Sequence, residues 1–260
     1  MNYSNKTILI TGASSGIGAA TAIELAKYNN RIIITARREE LLLEVAKKVE
    51  SLGSECLYFV GDATSETHAN SVIDEIIKKY GTIDIAILNV GYGPSSNTLT
   101  ASAETIKFCM AANYDSFINF YVPILQQMKK QKEKCIIAHM NSQATWFGIP
   151  MQGDYTAAKA AVRIFVDTAR MELKHFGFKH ILLQTIHPGF VATESVKEDG
   201  IPAPNEISEE EAAKFVLKGL KSEKRENVFP AGTKWAAKLG RILPNKLLTK
   251  ILLSQTPANY

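Results

Sequence analysis

Six runs of mostly apolar residues recur along the first 186 positions: KTILI (6–10), RIIIT (31–35), CLYFV (56–60), IDIAIL (83–88), CIIAHM (135–140) and HILLQTI (180–186). A strand with one face in water alternates apolar and polar residues. A run that does not alternate must be covered on both faces. Helical spacing fills the gaps, over about 16–28, 38–52, 65–80, 103–130 and 154–176, with a shorter helix over about 208–221 before a last strand, NVF (227–229). Strands alternating with helices make βαβ units and a parallel sheet. The expectation is an α/β chain: one doubly wound sheet of about seven strands with helices on both faces. Residues 1–260 read as a single domain, with no linker-like tract before residue 198 and no internal repeat. The Pro- and Gly-rich EDGIPAPNE (198–206) reads as part of a substrate loop at about 194–206.

Composition excludes several function classes. A net charge of +4 is too small to argue for nucleic acid. Cys56, Cys109 and Cys135 lie far apart, with no CxxC or Cys/His cluster, so neither a zinc site nor a disulfide framework is expected. The N-terminus enters a strand-like run by Lys6 without a signal-peptide pattern, and no apolar run of about 18 residues occurs. A cytoplasmic location is the default expectation.

The first run leads straight into TGASSGIG (11–18), which opens a helix. In such sheets a ligand sits at the carboxyl ends of the strands, where a helix N-terminus offers free N–H groups to a phosphate. Gly12 permits the tight turn, while Gly16 and Gly18 let backbone and helix approach closely. Ser14, Ser15 and Ile17 complete this dinucleotide-binding turn. The second run ends in Ala36, Arg37 and Arg38. An acidic residue there would suit the ribose of NAD; arginine suits the 2′-phosphate of NADP. NADP(H) is therefore favoured over NAD(H), with Arg37 on the phosphate and Arg38 stacking on the adenine. Asp62, followed by Ala63, is placed to accept from the adenine amino group, and Asn89 and Gly91 to pass close to the ribose. Further on, DYTAAK (154–159) puts Tyr155 and Lys159 on one helix face, one turn apart.

Together TGASSGIG, Asp62, the Asn89–Val90–Gly91 turn, Asn113, Ser142, the Tyr155/Lys159 pair and HPGFVAT (187–193) resemble the short-chain dehydrogenase/reductase family, in family order and spacing. Two positions depart from its pattern: Val90 stands where an asparagine is usual, and Ser15 where many NADP-using members carry a basic residue. The resemblance implies hydride transfer between a nicotinamide and a carbonyl or alcohol, without a metal. It implies Tyr155 as general acid or base, with Lys159 lowering its pKa and holding the ribose hydroxyls. Ser142 would hold the substrate oxygen, and Asn113 a water that links Lys159 to solvent. Pro188, Gly189, Val191 and Thr193 would meet the carboxamide. A dinucleotide sensor without turnover is the alternative, and it has no need of Tyr155, Lys159 and Ser142.

Around the expected carbonyl position lie Ser142, Trp146, Phe147, Met151 and Phe190, with Tyr92 nearby and no arginine to clamp a carboxylate. They describe an apolar pocket, unless Trp146 and Phe147 pack in the core or an interface. Family members pair their two long helices between subunits, so a homodimer or homotetramer is expected. Charge is concentrated at the end of the chain. Residues 221–260 hold eight Lys/Arg and two Glu, a charge of +6 that leaves −2 for the rest. Within 232–253, Trp235, Leu239, Ile242 and Leu243, then Leu247, Leu248, Ile251 and Leu252, recur at helical spacing. Lys234, Lys238, Arg241, Lys246 and Lys250 form the polar side. This basic amphipathic segment, broken at LPN, either lies on an anionic membrane as a peripheral contact or packs on the protein's own cleft.

Overall fold

The computed structural model describes residues 3–194, 206–230, 239–254 and 256. Seven strands form one parallel sheet: β1 (Thr7–Thr11), β2 (Arg31–Ala36), β3 (Glu55–Val60), β4 (Ile85–Leu88), β5 (Cys135–Met140), β6 (Ile181–Pro188) and β7 (Glu226–Phe229). Their order across the sheet is β3-β2-β1-β4-β5-β6-β7. This is the doubly wound arrangement, with the reversal between β1 and β4.

The runs of the inner strands supply both faces of the sheet at once, whereas CLYFV forms the edge strand β3 and leaves Tyr58 and Val60 exposed. Ile8, Ile10, Ile32, Ile34, Ile85 and Ile87 point into one core, against α1 (Gly16–Ala26), α2 (Glu39–Ser51) and α7 (Glu209–Ser222). Their neighbours Leu9, Ile33, Ala86 and Leu88 point into the other, against α3 (Glu66–Tyr80), α5 (Ser116–Lys130) and α6 (Gly153–His175). The strand period of two explains the split. Each large aliphatic side chain so enclosed contributes about 2 kcal/mol relative to exposure.

Three local outcomes differ from the expected elements. IDIAIL becomes a strand only from Ile85, because Asp84 turns back and its carboxylate accepts from the Thr7 N–H at 2.8 Å. The single helix expected over 103–130 is α4 (Ala103–Met110) and α5, joined by one π-helical turn, Ala111–Asp115, that contains Asn113. At the C-terminus Leu239 and Gly240 are helical, and a turn at 241–243 leads to α8 (Asn245–Ser254). Pro244 starts this helix, its carbonyl accepting from Leu247 and Leu248 at 2.9 and 3.0 Å. The substrate loop expected at 194–206 lies outside the described residues from 195 to 205. So does 231–238, with Lys234, Trp235 and Lys238.

Candidate active site

A cavity of about 960 Å³ runs along the carboxyl ends of the strands and is lined from Gly12 at one end to Tyr155 and Ser142 at the other. Its outer part is built on the turn after β1. Gly12 and Gly16 have φ of +65° and +62°, values that disfavour side chains. Gly18 is helical, but a Cβ there would lie 2.4 Å from the Gly12 carbonyl oxygen and 2.5 Å from Asn89 Nδ2. Asn89 therefore works on the turn itself: its Nδ2 donates to that carbonyl at 3.1 Å, and its own N–H donates to Thr11 Oγ1 at 3.0 Å. Ser15 caps α1 through no side-chain bond of its own. No acidic side chain occupies the first turn of α1, so its exposed N–H groups suit an anion.

Gly12, Ser14, Ser15, Gly16, Ile17, Arg37, Arg38, Asp62, Ala63, Asn89 and Gly91 all line the cavity, as do Pro188, Gly189, Val191 and Thr193; only Gly18, of the cofactor residues expected, is packed behind it. The two arginines are not equivalent. Arg38 reaches the phosphate turn, where Nη2 donates to Ser15 Oγ at 2.5 Å and Nη1 pairs with Glu194 at 2.7 Å. Arg37 is largely exposed, 3.9 Å from Asp62. Asp62 lies below the usual carboxylate range: burial raises it, but the bonds from Thr64 and the charge of Arg37 outweigh burial. A mostly open trough, a glycine turn and two cations at one end fit an extended phosphate-bearing dinucleotide.

The inner end gathers side chains from four segments. Tyr155 and Lys159 stand one turn apart at the start of α6, with the ammonium 5.7 Å from the centre of the tyrosine ring. Gly93 packs so closely on that ring that a Cβ there would fall 2.4 Å from Tyr155 Cδ2. Lys159 is buried, and Nζ donates to the Met140 carbonyl at 3.1 Å. Burial lowers its pKa from 10.5 to about 8. The Tyr155 phenol is raised by burial, with a bond from the Ser142 hydroxyl opposing. One of the three ammonium donors of Lys159 is thus engaged by Met140, which leaves two for other partners.

Asn113 is fully buried in the π turn. Its Nδ2 donates to the carbonyls of Tyr92 and Cys109 at 2.6 and 2.9 Å, and its Oδ1 accepts from the Tyr92 N–H at 3.2 Å. The side chain thus positions the Gly91–Tyr92 turn. Ser142 follows β5, and its Oγ accepts from the Ala144 N–H at 3.1 Å. Sequence reasoning missed Asn141. Its Oδ1 accepts from the Ser142 N–H at 2.8 Å and its Nδ2 donates to the Lys159 carbonyl at 3.1 Å, so one side chain ties the Ser142 segment to α6. The available signal was a polar residue directly after an apolar strand, beside Ser142.

Of the expected substrate residues, Ser142, Phe147, Met151 and Phe190 line the cavity. Trp146 does not. It stacks on His187 with ring centres 4.6 Å apart and planes 25° apart. The adjoining wall comes from the C-terminal segment, through Leu239, Leu243, Leu248 and Leu252. Gly240 packs on Phe147, and the Arg241 guanidinium lies 5.4 Å from the Trp146 ring. That segment therefore rests on the cleft. Yet Ile242 is 79% exposed and Leu253 57%, and α8 buries none of its residues. Among the described residues no cluster of His, Cys, Asp and Glu could hold a metal, and no helix is long and apolar enough to cross a membrane.

Comparison with known proteins agrees with this geometry. The family described as short chain dehydrogenase matches residues 6–201. An uncharacterised oxidoreductase of Listeria innocua is 32% identical over 194 residues, 75% of this chain and 77% of its own. A short-chain dehydrogenase/reductase from Burkholderia phymatum, solved with NAD, superposes with a TM-score of 0.85 at 17% identity, covering 99% of this chain and 98% of its own. An alcohol dehydrogenase from Thermococcus sibiricus, solved with 5-hydroxy-NADP, gives 0.77 at 23% identity, with 87% and 95% covered. The two solved structures share the fold while holding different dinucleotides.

Proposed function

The chain belongs to the short-chain dehydrogenase family, whose members move a hydride between NAD(P) and an alcohol or carbonyl, and we propose that this one is an NADP(H)-dependent enzyme for an apolar substrate, with Tyr155 as its proton donor and acceptor. One observation carries the reading. A single cavity joins a phosphate-binding turn with two arginines to Tyr155, Ser142 and the buried Lys159.

The nicotinamide supplies or removes the hydride. The protein's own residues manage the oxygen. Ser142 Oγ holds the substrate oxygen beside the Tyr155 hydroxyl. In reduction, charge grows on that oxygen as the carbon accepts hydride, and Tyr155 donates its proton there. The raised phenol pKa keeps the proton in place until it is needed. In oxidation the phenolate must form. Lys159 supports it with an ammonium on the same helix face and is placed for the ribose hydroxyls. Asn141 and Asn113 hold the two loops that frame the site.

Arg38 at the phosphate turn is the better placed cation for a 2′-phosphate, exchanging Glu194 for it, with Arg37 and Asp62 flanking the adenine. Phe147, Met151, Phe190, Leu243 and Leu248 favour an apolar ketone or alcohol over a charged oxoacid. The exposed Phe108, Val122, Ile164 and Met171 on α4, α5 and α6 support pairing of these helices in a homo-oligomer. A peripheral contact with anionic lipid would use the exposed side of the C-terminal segment, where Arg241, Lys246 and Lys250 adjoin Ile242 and Leu253. A cytoplasmic enzyme drawn to a membrane face would meet lipid-soluble substrates there. Titrating the protein with NADPH and NADH, then assaying apolar ketones against small oxoacids, tests the reading. Tighter NADPH binding and turnover of the ketones are expected; NADH preference or oxoacid turnover would overturn the respective parts.

A further inference from the structure

His187, fully buried near the end of β6, touches the site only through the main chain. Its Nδ1 lies 2.9 Å from the Ser142 carbonyl oxygen, and its Nε2 lies 2.5 Å from Glu226 Oε2 on β7. A peptide carbonyl can only accept. Burial raises the Glu226 pKa, but the bonds and charges of His187 and Arg170 prevail and hold it below its ordinary value. Both ring nitrogens therefore face groups that can accept a hydrogen bond. Arg170, itself buried, donates from Nη1 to Glu226 Oε1 at 2.6 Å and to Asp167 at 2.7 Å, from Nη2 to Thr185 Oγ1 and the Arg225 carbonyl, both at 2.7 Å, and from Nε to the Leu183 carbonyl at 3.1 Å. Trp146 closes one face of the imidazole by stacking. Lys159, Arg170 and His139 are the further charged or titratable groups near this buried cluster.

The Ser142 peptide is thus gripped at both ends, by Asn141 at its N–H and by His187 at its carbonyl. A serine hydroxyl is only as well placed as the backbone that carries it. We propose that His187 is a positioning residue, which fixes Ser142 against the substrate oxygen and is fixed in turn by Glu226 and Arg170. This rests on the role given to Ser142 above. It also accounts for Trp146, which packs the positioning histidine instead of lining the pocket.

The experiment is a set of variants of the full chain assayed with NADPH and a reactive ketone. The amide nitrogen of asparagine can replace Nδ1, whereas that of glutamine replaces Nε2. His187→Asn should keep kcat within about threefold, while His187→Gln should lose about tenfold or more, since displacement on the order of 1 Å can cost about 10²-fold. Dissociation constants for NADPH should stay within about twofold. Because His187 acts through Ser142, adding His187→Gln to Ser142→Ala should cost nothing further. Glu226→Gln replaces His187→Gln in this cycle if the latter does not fold. Additive losses, or equal losses in the Asn and Gln variants, would overturn the inference. Full activity in Ser142→Ala would instead overturn the role of Ser142 itself. A large loss in Ser142→Ala with none in His187→Gln would refute the positioning role alone.

Discussion

Replacing Lys159 by methionine should make the ligand-free protein more stable at neutral pH while removing its activity. Burial takes the ammonium from 10.5 to about 8, which corresponds to about 3 kcal/mol of destabilisation when the group is charged in both states. Below about pH 8 the folded and unfolded chains both hold the proton, and the penalty is complete. Between about 8 and 10.5 only the unfolded chain holds it, so this group makes stability rise with pH. Above 10.5 its contribution vanishes. Methionine keeps the apolar stem but leaves the Met140 carbonyl without its donor, at a cost of about 1 kcal/mol. The net gain at pH 7 is about 2 kcal/mol, or about 4 to 8 °C in Tm for a chain of this size. Urea unfolding of both proteins without cofactor, at pH 7 and pH 10.5, measures it. Only the difference between the proteins is informative. The buried thiols of Cys56 and Cys135, raised by burial to about 12 and 11, destabilise the fold at high pH and cancel in that difference, whereas Cys109, raised to about 12 by burial and lowered by the Lys159 charge, titrates with less support in the variant. The variant's advantage should disappear, and slightly reverse, at the higher pH. A variant less stable at pH 7, or a difference that does not change with pH, would refute the reasoning.

Three further outcomes are expected. Arg38→Ala should raise the KM for NADPH more than Arg37→Ala does, with little change for NADH in either, as followed by initial rates; equal changes for both cofactors would make the arginines surface residues only. Gly18→Ala should abolish dinucleotide binding in a calorimetric titration, because its Cβ would meet the Gly12 carbonyl at 2.4 Å and neither backbone segment can yield without breaking the turn. In co-sedimentation with anionic vesicles at low salt, where attraction is least screened, the full chain should pellet and a chain ending at residue 230 should not; a full chain that stays in the supernatant would remove the membrane contact.

The sheet was legible because its signal is local. A run such as ILI or III must bury both faces, and only a parallel sheet under two helix layers allows that. The glycine turn and the Tyr155/Lys159 spacing were legible for the same reason, since each is set within one turn of chain. The remaining features depend on contacts between distant residues. Nothing in AANYD marks a π turn, which is imposed by the bonds of Asn113 to the Tyr92 turn 21 residues away. The choice between Arg37 and Arg38 depends on where Ser15 and Glu194 lie, and Glu194 is 156 residues from Arg38. Trp146 reads as a pocket aromatic until His187, brought beside it by the pairing of β5 with β6, offers a stacking face. The C-terminal segment has an amphipathic pattern that suits a cleft and a membrane equally, and its described part makes contact with the cleft on one side only.

The central claim is that Tyr155 exchanges the proton while a hydride passes between nicotinamide and substrate. The direct measurement is the rate of NADPH oxidation with a reactive apolar ketone, for the wild type and for Tyr155→Phe, each saturated with cofactor. The substitution removes one hydroxyl and leaves the ring that packs under Gly93, so cofactor affinity should be preserved while kcat falls by about 10²-fold or more. A Tyr155→Phe enzyme that turns over at the wild-type rate would contradict the account.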